Sequence, residues 1–295
     1  MRARPGPRKQ KSPSTYFVQG SDEKELARLR MQDHMITTNM GGVLSEQADP
    51  MSFQSVLDIG CGTGGWIMEA AQTYPAMSLV GIDISQRMIN YARTQAQASL
   101  VPDRVQFHVM DALGTLDFPP AFFDLVNLRF GISFVRTWDW PKLLRELLRI
   151  TRPGGVVRVT DSEIGQHSES PALTRLFEML QCALFRTGHL FTQESTGLTS
   201  HLVRLLAEYG CQQVQTKTYR MVYRAGTPQG ETFYQDLKLL FQASRPFIEK
   251  RGCAAEEYET TYRQALKEIG QPDFFVAGNI LTVWGYKPGH PSEQL

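Results

Sequence analysis

The residues best placed to do chemistry are a run of glycines and three aspartates at the ends of apolar runs. Gly60, Gly62 and Gly64 occur in the stretch Leu57-Asp58-Ile59-Gly60-Cys61-Gly62-Thr63-Gly64. Glycines at this spacing let the backbone turn sharply and approach a ligand closely. The helix expected next offers free N–H groups at its start. Asp58 lies inside the apolar run itself. Asp83 ends a second run, Leu79 to Asp83, and Asp111 follows a third, Val105 to Met110. A carboxylate at the end of a second strand can accept hydrogen bonds from both hydroxyls of a ribose. One at the end of a third can accept from the exocyclic amine of an adenine. Acids at three consecutive strand ends describe a nucleoside pocket. A pyrophosphate pocket would not tolerate that negative charge.

The elements that must position these residues alternate. After the glycines, Trp66, Ile67, Ala70 and Ala71 mark a helix. Ser85 is placed to cap a helix carrying Met88, Ile89 and Ala92. A fourth strand spans 122–128. Asp139 is placed to cap a helix through Leu143, Leu144, Leu147 and Ile150, which stops at Pro153-Gly154-Gly155 before a fifth strand at 156–160. Such alternation implies a parallel sheet covered by helices on both faces. Upstream, Asp22 and Glu25 suggest a capping box for a helix through Met40. Downstream, helices are expected around 173–184, 202–206, 230–250 and 254–269, with strands at 214–223 and 279–286.

The stretch from about 53 to 161 resembles a class I S-adenosylmethionine-dependent methyltransferase of the small-molecule type. The resemblance rests on the glycine loop, Gly81-Ile82-Asp83-Ile84-Ser85, Asp111, Phe123-Asp124-Leu125-Val126 and Leu148-Arg149-Ile150-Thr151-Arg152-Pro153-Gly154-Gly155. It implies an α/β fold: a Rossmann-like, seven-stranded, mostly parallel sheet with helices on both faces and the last strand antiparallel. It implies S-adenosyl-L-methionine as the methyl donor. Asp58 and Gly60 would hold the methionine amino end, with Gly62 and Gly64 shaping the loop. Asp83 would bind the ribose, Ile84 and Met88 the adenine face, Asp111 and Ala112 the adenine edge. Asn127 and Leu128 would lie beneath the methionine part, and Tyr16 would fold over the donor. The corresponding organisation is a basic tail at 1–15, a helical segment over the site at 16–50, and the methyltransferase domain at 51–288. Insertions at about 165–195 and 227–272 would form a substrate lid, and 289–295 a second tail.

Methyl transfer from a sulfonium mainly requires alignment of the nucleophile; a base is needed only if the acceptor must lose a proton. Arg129, Phe130, Ser133 and Glu163 are the acceptor-binding candidates, and Asp161 and His167 the candidate bases. Arg129 either binds an anionic acceptor or pairs with a local acid. Aromatic residues in the insertions, Phe177, Phe233, Phe241 and Phe247 among them, either line a pocket for an apolar acceptor or pack the core. The expected acceptor is a small organic molecule, apolar or aromatic. The alternatives are a methyltransferase fold turned to cyclase or decarboxylase chemistry, and, with less support, a protein or RNA methyltransferase. A nicotinamide dehydrogenase fits poorly with the glycine spacing and with Asp58 inside the strand.

The charge balance agrees. The chain of 295 residues carries a net +1, but residues 1–12 hold five basic residues and no acid. With those set aside, 26 basic residues face 30 acidic ones and the body stands at −4. No basic face for nucleic acid is expected. The six histidines show no ligand spacing, so no metal is expected. No apolar run approaches the roughly 18 residues that span a bilayer. Four cysteines at wide gaps read as reduced thiols in a cytoplasmic protein, without a disulfide framework. A homodimer is left open.

Overall fold

The computed structural model describes residues 23–99, 101–165, 167–254 and 256–289. The tail at 1–15, Tyr16 and Asp22 lie outside the described residues. Helix α1 (Glu23–Asn39) precedes β1 (Ser55–Ile59), α2 (Gly65–Thr73), β2 (Ser78–Asp83), α3 (Gln86–Gln97), β3 (Val105–Val109) and β4 (Phe123–Arg129). Then come α4 (Trp140–Ile150), β5 (Thr151–Ser162), β6 (His167–Ser168), α5 (Pro171–Arg186), α6 (Thr199–Glu208), β7 (Gln212–Arg224), α7 (Pro228–Lys250), α8 (Tyr258–Ile269) and β8 (Phe275–Tyr286).

The strands run β3-β2-β1-β4-β5-β8, with β7 on the far side of β8. The first five are parallel, and β8 is antiparallel to both β5 and β7. This is the expected architecture of seven long strands. It carries one addition, the two-residue β6, which pairs with β8 beyond the end of β5. Strands β1 and β4 are buried on both faces, as their continuous apolar runs require. Helices α2 and α3 cover one face with Trp66, Ile67, Ile89 and Ala92; α4 covers the other with Leu143, Leu144 and Leu147.

One described helix start, that of α4, departs from the sequence reading. The capping box expected of Asp22 and Glu25 rests on Asp22, outside the described residues; the Glu25 carboxylate accepts from Arg28 Nε and Nη2, both at 2.8 Å. Asp139 sits at the start of α4, but its carboxylate accepts from the Arg136 N–H at 3.3 Å and leaves the first turn uncapped. Ser85 does cap α3, accepting from the Met88 N–H at 3.4 Å.

Helices α5, α7 and α8 form a layer beyond the C-terminal ends of the parallel strands, and α1 closes against α7. Cys182 of α5 is bonded to Cys253, in the turn between α7 and α8. This overturns the expectation of four reduced thiols. Wide sequence gaps gave no signal, since the helical layer folds two distant segments together. Cys61 and Cys211 are free. No described helix is long and apolar enough to cross a membrane.

Candidate functional site

A cavity of about 1530 Å³ opens at the C-terminal ends of β1 to β5 and continues under α1, α5 and α7. Ligands bind at this end of an open parallel sheet because the strand order reverses there and the connections part. A second, more open cavity of about 300 Å³ lies between α3 and β3, away from these strand ends.

The glycine loop forms the floor. Gly62 and Gly64 have φ of +52° and +79°, the left-handed region that glycine enters without cost. Space around Gly62 is open, so its backbone faces the cavity. Gly64 does not line the cavity. A Cβ there would meet the Phe107 ring at 2.7 Å, so Gly64 serves the close packing of α2 on the sheet.

Asp83 holds the loop in place. Its carboxylate accepts from the Gly62 N–H at 3.1 Å and from the Ser85 N–H at 2.8 Å. Two of its lone pairs remain for a ligand. Burial raises its pKa. Ile84, Met88, Asp111 and Ala112 line the wall beside it. The Asp111 carboxylate accepts from the Leu113 N–H at 3.0 Å, which fixes the turn after β3.

Asp58, at the cavity edge, is part of a polar row across the sheet. Asp58, Asn127 and Arg158 are level on β1, β4 and β5. Asn127 donates to Asp58 Oδ1 at 2.7 Å and accepts from Arg158 Nη1 at 2.6 Å. Arg158 Nε continues the chain to Glu46 Oε1 at 2.7 Å, and Tyr219 donates to Glu46 Oε2 at 3.0 Å. Both members of the Arg158–Glu46 pair have fully buried side chains. Burial opposes ionisation of Glu46, but the Arg158 guanidinium outweighs it and holds the carboxyl below its usual range. Burial pushes Asp58 up to about 7, against the pull of Arg129 and the Asn127 hydrogen bond. Asn127 and Leu128 are wholly buried and do not face the cavity. Asn127 therefore supports Asp58 rather than touching a ligand.

Of the acceptor-side candidates, Arg129, Phe130, Ser133 and Glu163 line the cavity. Both candidate bases are misplaced. Asp161 is fully buried off the cavity, and its carboxylate accepts from the Ile132 N–H at 2.9 Å and the Ser162 N–H at 3.0 Å. Burial raises it to about 7, but its role is to hold the turn after β4. His167 is exposed on β6, also off the cavity. Cys61 lines the loop, yet burial, Asp58 and Asp83 all push its thiol well up, so it is no nucleophile.

Sequence reasoning expected helices over the site but missed the polar contacts that α1 makes there. From α1, Arg28 donates to Glu25 and, at 2.9 Å, to Asp236 of α7; Gln32 donates to Asp236 at 3.2 Å. Asp33 of α1 pairs with Arg129. Polar residues on an N-terminal helix gave no signal, because their partners lie 96 and 208 residues away. The aromatic residues of the insertions divide. Phe177 and Phe233 line the cavity, Phe241 packs the core beside Phe177, and Phe185 is exposed. Among the described residues no cluster of three or more His, Cys, Asp or Glu is arranged for a metal.

Comparison with known proteins converges on this geometry. A family described as a methyltransferase domain matches residues 56–155, the span from β1 into β5. N-methyltransferase gliN of Aspergillus fumigatus is 28% identical over 92% of this chain and 96% of its own length. Demethylmenaquinone methyltransferase of Deinococcus radiodurans is 31% identical over 58% of this chain and 70% of its own. The chain belongs to the class I S-adenosylmethionine-dependent methyltransferases. Solved structures share the fold. Phosphoethanolamine N-methyltransferase 2 of Haemonchus contortus superposes with a TM-score of 0.52 at 20% identity, over 85% of this chain and 52% of that one. YcgJ of Bacillus subtilis gives 0.53 at 19%, over 85% and 99%. Membership in this methyltransferase family makes S-adenosylmethionine the methyl donor. The open backbone at Gly62 and the spare lone pairs of Asp83 are compatible with a nucleoside there.

Proposed function

We propose that this methyltransferase alkylates a small, largely apolar or aromatic acceptor held under the helical layer. The observation that carries the proposal is the change in the cavity wall. Away from the glycine loop it is formed by Phe177, Leu180, Phe233, Leu237, Leu240 and Ile280. A flat or aliphatic molecule gains there by removing apolar surface from water, at about 25 cal/mol per Å². The full-length similarity to gliN, a named N-methyltransferase, spans the helical insertions as well as the strand ends and favours nitrogen as the acceptor atom.

In this reading Asp83 takes the ribose hydroxyls, Asp111 and Ala112 the adenine edge, Ile84 and Met88 its face, and Asp58 with Gly60 the methionine end. Bound there, the donor supplies an electrophilic methyl group whose leaving group is a neutral thioether. The chain contributes alignment and exclusion of water, the two effects a pre-activated donor still needs. Asp161 and His167 are no longer candidate bases. Glu163 remains a cavity-lining carboxylate on the acceptor side, fixed by an Asn279 amide that donates to it at 3.0 Å.

The test is transfer of an isotopically labelled methyl group to a panel of aromatic amines, phenols, quinols and polar amines, read by mass. Labelling of apolar amines is expected, and Leu237→Asp should suppress it while S-adenosylmethionine binding persists. Labelling confined to polar amines, or unaffected by Leu237→Asp, would overturn the reading.

A further inference from the structure

Arg129 and Asp33 form an ion pair on the cavity wall, and Arg129 Nη1 also donates to Thr37 Oγ1 at 3.1 Å. Asp33 and Thr37 are four residues apart, so α1 presents both on one face. Strand register places Arg129: Ile59 pairs with Leu128, so the next residue is level with Gly60. On the other side, Asp33 Oδ2 lies against Gly65, the first residue of α2, where a methyl group would collide with it. The pair therefore bridges the mouth of the glycine loop, between a strand end and a helix start whose free N–H groups favour an anion.

Both side chains are largely buried, Arg129 at 10% exposure and Asp33 at 16%. An ion pair this sheltered roughly breaks even against its own desolvation, so it is weak evidence of a stabilising role. It does hold one cation and one anion side by side at the rim of a cavity. The amino-acid end of the donor is the complementary object, a carboxylate and an ammonium on one carbon. We infer that Asp33 and Arg129 together bind the amino-acid end of S-adenosylmethionine, Arg129 taking the carboxylate and Asp33 the ammonium. The inference rests on the donor pocket proposed above and adds a residue from α1 to it. Donor binding is then coupled to the seating of α1, because the same carboxylate holds the helix down and reads the ligand.

The experiment compares two ligands by calorimetry. S-adenosylmethionine has the amino-acid end and 5′-methylthioadenosine lacks it. Charge-assisted hydrogen bonds are worth enough that Asp33→Asn and Arg129→Leu should each weaken S-adenosylmethionine by about tenfold or more. Neither should change 5′-methylthioadenosine by more than about twofold, within the reach of indirect effects. Asp33→Glu should recover part of the loss. Equal weakening of both ligands, or of neither, overturns the inference. Asp83→Ala should weaken both ligands alike. If it weakens neither, the donor pocket falls and this inference with it; if only the Asp33 and Arg129 selectivity is missing, this inference alone falls. In the unaltered chain, hydrogen exchange over residues 33–39 should slow with S-adenosylmethionine and not with 5′-methylthioadenosine. Equal slowing by both overturns the coupling to α1 without any variant having to fold.

Discussion

The strand-end half of the cavity and its helical half are made in different ways. The strand-end half takes its residues from turns that follow β1, β2 and β3, each fixed by backbone hydrogen bonds to its neighbour. Asp83, for example, is positioned by the ladder that pairs it with Val109 and by two N–H groups from adjacent turns. The helical half is assembled from α1, α5 and α7, which reach the cavity from three separate parts of the chain. Its described polar contacts include long-range ones, such as Arg28 with Asp236. A site fixed by a sheet is rigid and suits an invariant ligand. A roof of packed helices can open and can be rebuilt without disturbing the sheet, which suits entry and choice of the other ligand.

The largest expected effects set the same chemistry against itself in the two halves. Arg158→Leu leaves Glu46 buried without its cation, and breaking a buried pair costs about 3–5 kcal/mol. Denaturant unfolding should show that loss in full, because the polar row crosses the centre of the sheet. Arg28→Leu removes one cation from Glu25 and Asp236, which are 4% and 6% exposed. Here α1 can part from α7 and let water reach the carboxylates. The midpoint should move much less, while hydrogen exchange in α1 accelerates. Equal global losses would make the two halves one cooperative unit and end the comparison.

Next is Gly64→Ala. A left-handed φ and a Cβ 2.7 Å from the Phe107 ring combine strain with overpacking, at about 3 kcal/mol. Calorimetry should show loss of S-adenosylmethionine binding, since the loop is attached to the displaced helix. Retained binding at normal affinity would show that the strand-end half is more tolerant than its geometry implies. Cys182→Ser tests the other half. A native disulfide contributes about 2–4 kcal/mol by constraining the opened chain. The lower end, about 2, applies here, because both segments stay anchored to the sheet when only the layer opens. Exchange in α5 and α8 should rise while thermal unfolding of the sheet changes little.

The same contrast explains what could be read from the sequence. Strand–helix alternation is a local signal, so β1 to β5, the glycine loop, Asp83 and Asp111 follow from spacing alone. Asn127 is expected at the end of β4 beneath the donor; it lies inside the strand, bonded to Asp58 and Arg158, because period-two alternation fails in a strand buried on both faces. Nothing local distinguishes a side chain aimed at a ligand from one aimed at Arg158. Asp161 failed similarly: a strand-end acid is equally suited to chemistry and to holding the next turn, and its two N–H donors decide for the turn. Asp33 and the Cys182–Cys253 bond depend on helices meeting across the fold, which no short-range pattern encodes.

The smallest effect is a pH dependence centred on Asp58. Its pKa is raised from 3.8 to about 7, so the native state prefers the protonated carboxyl. The stability this contributes is fully present below about pH 4 and is lost as pH rises through 7. Donor binding runs in the opposite direction. An ionised Asp58 adds negative charge near the ammonium assigned to Asp33, so affinity should increase as Asp58 ionises. From pH 6 to 7.5 the gain should be roughly five- to tenfold, the limit for one group titrating near 7. Asp58→Asn removes the titrating group and should flatten the profile over that interval, while keeping an acceptor for the Asn127 amide. A profile that keeps its slope in Asp58→Asn would assign the titration to another group, and would leave the carboxylate at the end of β1 as part of the polar row alone.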